Sequence, residues 1–214
     1  MTSSRVEAEL KYTALTERPL QELERAEALG PARLGVARTV AELDRYVDTL
    51  DLRLAAVRWA CRLRSREGRT IVSLKGPAEH AAGDLLHLRP EVEGPADSGV
   101  DAKAWPPSPA RDQLLAMTGG AALVDRFSLE QERTERSVSV GPARIGALSL
   151  DRVRVVLDGN EIGRMAVVEL ELEPKALAEG LDLAPLSMTL SAMDGLVPDP
   201  SSKFERALAM LPRA

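Results

Sequence analysis

The sequence predicts an α+β protein built on a closed antiparallel β-barrel whose interior is polar and charged. Three observations carry that expectation. Val6-Glu7-Ala8-Glu9-Leu10-Lys11-Tyr12 alternates apolar and charged residues, and successive strand side chains point to opposite faces, so Glu7, Glu9 and Lys11 share one surface. Val168-Glu169-Leu170-Glu171-Leu172-Glu173 repeats the split near the other end of the chain, and Cys61-Arg62-Leu63-Arg64-Ser65-Arg66 repeats it with the opposite sign. One such strand alone reads most simply as a surface strand with a solvated face. Many short strands with few intervening helices, each with a charged face, instead suggest a barrel with those faces turned inward. Such an interior is too costly to leave dry and unpaired, so it is expected to hold water, metal and an anion while helices cover the outer apolar faces.

The elements follow in order. After the first strand, Pro19 to Leu29 has leucines at helical spacing and stops at Gly30-Pro31, which predicts an amphipathic helix. Strands are expected at about 32–40, 42–48, 57–66, 70–76 and 86–93. The stretch 94–109, with Trp105-Pro106-Pro107-Ser108-Pro109, reads as a surface connection. Ser108 as cap and Pro109 at the first helical position open a short helix that ends before Gly119-Gly120. Strands resume at 122–127, 130–140, 144–151 and 153–157. Asp158-Gly159-Asn160 supplies a hairpin-type turn into a strand over 163–173. A helical turn near Lys175 and a capped helix over 201–211 complete the chain.

The 214 residues are enough for a substantial core, and aromatics at 3% mean that it is built from Leu, Val and Ala. Scarce aromatics and a net charge of -5 argue against nucleic acid as a partner. The single cysteine, Cys61, falls on the apolar face and can form neither an internal disulfide nor a thiolate metal site. The amino terminus lacks an apolar leader and no apolar run reaches the length of a membrane span, so a cytoplasmic protein without a membrane partner is expected. His80 and His87, in or beside the connection after Gly76, are expected at the surface. No Gly-rich loop followed by Lys-Ser/Thr and no His-x-x-x-His pair is present.

Five ordered elements now coincide: Glu7-x-Glu9-x-Lys11, Tyr46-Val47-Asp48-Thr49 with Asp51-Leu52-Arg53-Leu54, Arg62-x-Arg64, Leu74-Lys75-Gly76-Pro77, and Glu169-Leu170-Glu171-Leu172-Glu173. Their order and spacing resemble the CYTH domain of the triphosphate tunnel metalloenzymes over about residues 5 to 175. The resemblance implies an antiparallel eight-stranded tunnel and members that hydrolyse inorganic tripolyphosphate or thiamine triphosphate, or that cyclise ATP as class IV adenylate cyclases. It implies a small-molecule triphosphate substrate and Mg²⁺ or Mn²⁺ as cofactor. Carried over residue by residue, Glu7, Glu9, Glu169 and Glu171 are the metal-side carboxylates, with Asp151 as a fifth. Lys11, Arg62, Arg64, Lys75, Arg89 and Arg133 are the substrate-binding cations, and Glu7, Glu9, Lys11, Glu169 and Glu171 the catalytic set. Arg136 lies three positions beyond Arg133 and faces the other way. Asp158 reads as a turn residue.

The chemistry of the two sets agrees with that division. Mg²⁺ and Mn²⁺ are hard cations that prefer carboxylate and water oxygens, whereas a buried triphosphate needs fixed cations, with Arg favoured for bidentate contact. The expected reaction is divalent-metal-dependent hydrolysis of tripolyphosphate to pyrophosphate and phosphate. The alternatives are ATP cyclisation, thiamine triphosphate hydrolysis, and a non-catalytic polyphosphate-binding module. Few aromatics, with Trp59 by an apolar strand face and Trp105 in a Pro-rich loop, offer no sign of a base pocket. Residues 1–195 are expected to form the CYTH-like domain and 196–214 a helical tail. Ser201 to Glu205 resembles the junction at which such domains continue into a helical CHAD domain. The chain stops at Ala214, so long-chain polyphosphate is not the expected substrate.

Overall fold

The computed structural model describes residues 5–77, 79–80, 86–199 and 201–212. The elements run β1 (Arg5–Ala14), α1 (Arg18–Arg25), β2 (Ala28–Leu29), β3 (Ala32–Leu34), β4 (Arg38–Thr49), α2 (Arg53–Ala56), β5 (Ala60–Arg66), β6 (Arg69–Lys75), β7 (Glu79–His80), β8 (Leu86–Pro95), α3 (Pro109–Thr118), β9 (Leu123–Val140), β10 (Ala143–Leu157), β11 (Asn160–Leu172), α4 (Pro174–Ala178), α5 (Ala184–Ser191), β12 (Leu196–Pro198) and α6 (Lys203–Met210). Eight strands pair in the order β10-β11-β1-β8-β6-β5-β4-β9, and β9 pairs back to β10, which closes an antiparallel barrel. The short strands β2, β3, β7 and β12 attach to its rims.

Residue parity fixes what each wall presents. Leu10, Tyr12, Leu148, Leu150, Val168 and Leu170 face outward and are covered by Leu20 and Leu23 of α1, Ala176 of α4, and Leu186 and Leu190 of α5. On the opposite side Cys61, Leu63, Val72, Leu74 and Val92 lie under Leu54 of α2, Trp105, and Ala110 and Leu114 of α3. The expected helix cover of the outer faces is therefore present, with Cys61 in the core. A third cluster joins inward-facing Tyr46, Phe127, Leu129, Val153, Val155, Met165 and Val167 to Ala207 of α6. One end of the barrel bore is thus apolar.

That apolar end explains where the expected strands came out too short. Along β9 the inward residues change from Phe127 and Leu129 to Gln131, Arg133 and Glu135, and along β10 from Ser149 and Asp151 to Val153 and Val155. The charged-in pattern inverts partway along each strand, which reads in sequence as a break although β9 and β10 are continuous. The helix expected to run to Leu29 ends at Arg25, with Ala26 already extended, and Leu29 pairs with Ala32 instead. Two local readings hold: Ser108 accepts from the Arg111 amide at 3.2 Å, and Asp158 takes the left-handed turn conformation at φ 49°.

Candidate active site

The strand register assembles the charged residues into one compartment. Glu9 lies opposite Glu171, and Lys11 opposite Glu169, across β1 and β11. Glu7 lies opposite Arg89 across β1 and β8. Arg64 lies opposite Asp44 across β5 and β4, and Arg133 opposite Asp151 across β9 and β10. Because every one of these side chains points inward, Glu7, Glu9, Lys11, Arg62, Arg64, Lys75, Arg89, Arg133, Glu169 and Glu171 all line one internal cavity. Asp151 sits behind its wall, fully buried.

The compartment is close to self-neutral. Glu7 is clasped by Lys75 Nζ at 2.7 and 2.8 Å and by Arg89 Nε at 2.9 Å. Lys11 Nζ lies 2.8 Å from Glu9. Arg133 forks onto Asp151 at 2.7 and 2.9 Å and reaches Glu169 at 3.3 Å. Arg64 forks onto Asp44 at 2.7 and 2.8 Å, where Gln131 adds a hydrogen bond at 2.7 Å. The cavity left between these pairs is only about 80 Å³, a few water volumes at about 30 Å³ each. The inward-facing charges pair with one another across the interior.

Electrostatics separate the carboxylates. Burial alone would raise all of them. At Glu7, Lys75 and Arg89 outweigh burial and hold the carboxyl well below its ordinary value. At Glu169, Lys203, Arg133 and Lys11 do the same and hold it at about 2. Glu9 goes the other way: burial and the charge of Glu7, with Glu169 adding, exceed the pull of Lys11, so its carboxyl is raised. Burial is the largest part of that rise, and the like charges of Glu7 and Glu169 add to it.

Several residues outside the sequence-derived set belong to the compartment. Lys203, the first residue of α6, enters it and donates to Asp151 at 2.5 Å and Glu169 at 2.7 Å, with only 9% of its surface exposed. Ser202 caps that helix in a reciprocal box with Glu205, which fixes where Lys203 starts. No strand parity reports a helix residue, so nothing short of the packed fold identifies Lys203. Asp44, Glu42 and Gln131 are inward on β4 and β9, and here the alternation Ala41-Glu42-Leu43-Asp44 did contain the signal. Arg136, as its parity requires, faces outward. It caps the end of α1, donating to the carbonyls of Leu23, Ala26 and Gly35 at 2.6 to 2.7 Å.

His87 corrects an expectation. It is 3% exposed, because the barrel wall continues through β8 and sets it opposite Glu9 in register. The side chain of His80 lies outside the described part of the structure. Among the described residues no three His, Cys, Asp or Glu side chains already converge at metal-ligand distance. The donors nevertheless suit a hard divalent ion: Glu7, Glu9, Glu169 and Glu171 offer oxygen only, and the like-charge crowding at Glu9 is what such an ion relieves. Among the described residues no helix is long and apolar enough to cross a membrane.

Comparison with known proteins gives a family and a fold. The CYTH domain family matches residues 6–204. A solved structure from Hippeastrum, described as an adenylyl cyclase candidate with a dominant triphosphatase activity, superposes with a TM-score of 0.67 at 20% identity over 95% of each chain. One from Bacillus halodurans, described as an adenylate cyclase candidate, gives 0.58 at 21% identity over 94% of this chain and 97% of its own. A Pyrococcus horikoshii protein gives 0.56 at 17% identity over 94% and 98%. No curated protein matches.

Proposed function

The chain belongs to the CYTH domain family, and on that premise we propose that it hydrolyses the terminal phosphoanhydride bond of a triphosphate with the help of Mg²⁺ or Mn²⁺. Inorganic tripolyphosphate is the substrate that the charged compartment by itself suits, with pyrophosphate and phosphate as products. The observation that carries this reading is the presence, in one closed barrel, of an oxygen-donor set and a guanidinium and ammonium set held together as ion pairs.

Ligand entry is then an exchange. Glu7, Glu9, Glu169 and Glu171 would hold the divalent cation, and the cations they release would take the phosphate oxygens. Bound there, the ion supplies a water of lowered pKa and neutralises phosphoryl oxygens. Arg62, Arg64, Arg89 and Arg133 present planar forks to the triphosphate; Lys11, Lys75 and Lys203 supply point charges. Asp44 and Asp151 keep Arg64 and Arg133 oriented, so the positioning cost is met before substrate arrives. Charge spread over equatorial oxygens during transfer is what these donors stabilise.

The test is phosphate release from tripolyphosphate, thiamine triphosphate and ATP with Mg²⁺, with Mn²⁺ and with chelator, on the wild type and on Glu7→Gln and Glu9→Gln. Metal-dependent release that both substitutions abolish is expected. Tight triphosphate binding without release of phosphate or formation of cyclic AMP would replace the enzyme with a binding module.

A further inference from the structure

The barrel bore has a second end, opposite the apolar one. Along β4 and β5 the inward residues pair in successive rungs: Tyr46 with Arg62, Asp44 with Arg64, and Glu42 with Arg66. Tyr46 belongs to the apolar cluster that meets α6. The charged cavity is lined by Arg62 and Arg64, and Glu42 with Arg66 lies one rung beyond them. There the rim begins. The side chains of Arg66 and Glu135, joined across it at 2.6 and 2.7 Å, are 23% and 30% exposed.

Glu42 is a carboxylate that the ion pairs around it do not require. Its side chain is wholly buried, yet each cation that it approaches already forks onto another acid. Arg64 Nε lies 3.3 Å from Glu42 and holds Asp44, Arg133 Nε lies 3.8 Å away and holds Asp151, and Arg66 at 3.0 Å holds Glu135. Among the described residues Glu42 Oε2 accepts no hydrogen bond. A buried carboxylate oxygen without one is expensive to keep. It stands between two of the guanidiniums assigned to phosphate, at the point where the cavity ends.

Resting on the triphosphatase reading above, we propose that Glu42 is a chain-length stop, a fixed negative charge that lets a terminal phosphoryl group reach Arg64 and Arg133 and rejects any group beyond it. Arg64 and Arg133 are free to take phosphate oxygens because neither depends on Glu42 for its orientation. A fourth phosphoryl group reaching past Arg64 meets the Glu42 carboxylate, and Arg66 behind it is already neutralised by Glu135. The bore is therefore closed at this end by charge as well as by bulk. Glu42 is thus a specificity-determining residue that selects tripolyphosphate over longer linear chains.

The experiment measures kcat/KM and, in chelator, equilibrium affinity for tripolyphosphate and linear tetrapolyphosphate in the wild type, Glu42→Gln and Glu42→Asp. The wild type should prefer tripolyphosphate. Like charges about 5 Å apart near a protein surface repel by enough to shift an affinity about tenfold or more, so Glu42→Gln, which keeps the shape and removes the charge, should lower that preference about tenfold or more. Glu42→Asp, which keeps the charge, should retain a preference for the shorter chain. A purely structural Glu42 would change both substrates alike and leave the ratio where it was. Because Arg64, Arg66 and Arg133 keep their forks in the Gln variant, it should fold, and its melting curve checks this. Wild type that binds the two chains equally overturns the stop, whether or not the variants fold. So does an unchanged ratio in a Glu42→Gln protein with a wild-type melting curve. A binding ratio that shifts as expected, with neither chain hydrolysed when Mg²⁺ or Mn²⁺ is supplied, sustains the stop and overturns the triphosphatase reading.

Discussion

Replacing Lys203 by Met tests whether the tail helix is part of the charged compartment's structure. The substitution keeps a long side chain and removes one charge that Asp151 and Glu169 share at 2.5 and 2.7 Å. Breaking a buried pair by removing one partner typically costs about 3–5 kcal/mol. Arg133 still serves both carboxylates, which puts the expected loss at the lower end, about 3 kcal/mol. The pKa of Glu169 gives a consistent figure. Its fall from 4.5 to about 2, against burial and the charge of Asp151, which both raise it, is a net gain on the order of 3 kcal/mol for the charged form.

The sign follows from linkage. A carboxyl whose pKa is depressed on folding stabilises the fold above its unfolded pKa and ceases to do so as pH falls through its folded pKa. The cost of Lys203→Met should therefore be full at neutral pH and shrink as pH drops from 4.5 toward about 2. Urea unfolding of wild type and variant across that range measures it. A cost below about 1 kcal/mol at neutral pH, the value of an exposed pair, or one that does not diminish on acidification, would refute the reasoning.

The two carboxylates of β1 should part company: Glu7→Gln should destabilise by about 3 kcal/mol by stranding Lys75 and Arg89, whereas Glu9→Gln, removing a carboxyl that folding raises, should cost little at neutral pH. Denaturant midpoints of the two variants decide. On the proposed exchange, metal and triphosphate would dissolve the same ion pairs, so Mn²⁺ should tighten tripolyphosphate binding by a factor within the usual 5–150-fold of coupled sites, and tripolyphosphate should tighten Mn²⁺ equally. Calorimetric titrations corrected for the complex formed in solution test this, and equal affinities with and without the partner would count against exchange. Arg136→Ala should lower stability by about 2 kcal/mol, since charged hydrogen bonds to three buried-end carbonyls are lost. Its kcat/KM for triphosphate, measured on folded protein, should stay at the wild-type value.

Strand parity made most of the barrel legible. Alternation at Glu7-Ala8-Glu9, at Arg62-Leu63-Arg64 and at Glu169-Leu170-Glu171 needs only local geometry, and those residues do share one interior. Asp44 was equally legible by parity, but nothing local marks it as the partner of Arg64, since that pairing is set by register between β4 and β5. Lys203 was illegible for a different reason. Its approach to Asp151 depends on how a helix docks 52 residues away in sequence.

The pairing of charges inside the barrel also bears on kinetics. A cleft lined by one sign of charge projects a field that draws ions from a distance and weakens steeply with salt. Here Glu7, Glu9, Asp44, Asp151 and Glu169 each sit within a few ångströms of a guanidinium or ammonium, so most of the field cancels before it reaches the rim. On the proposed exchange, capture of a triphosphate would be governed by short-range replacement of one counter-charge by another, and its rate constant should depend only weakly on ionic strength.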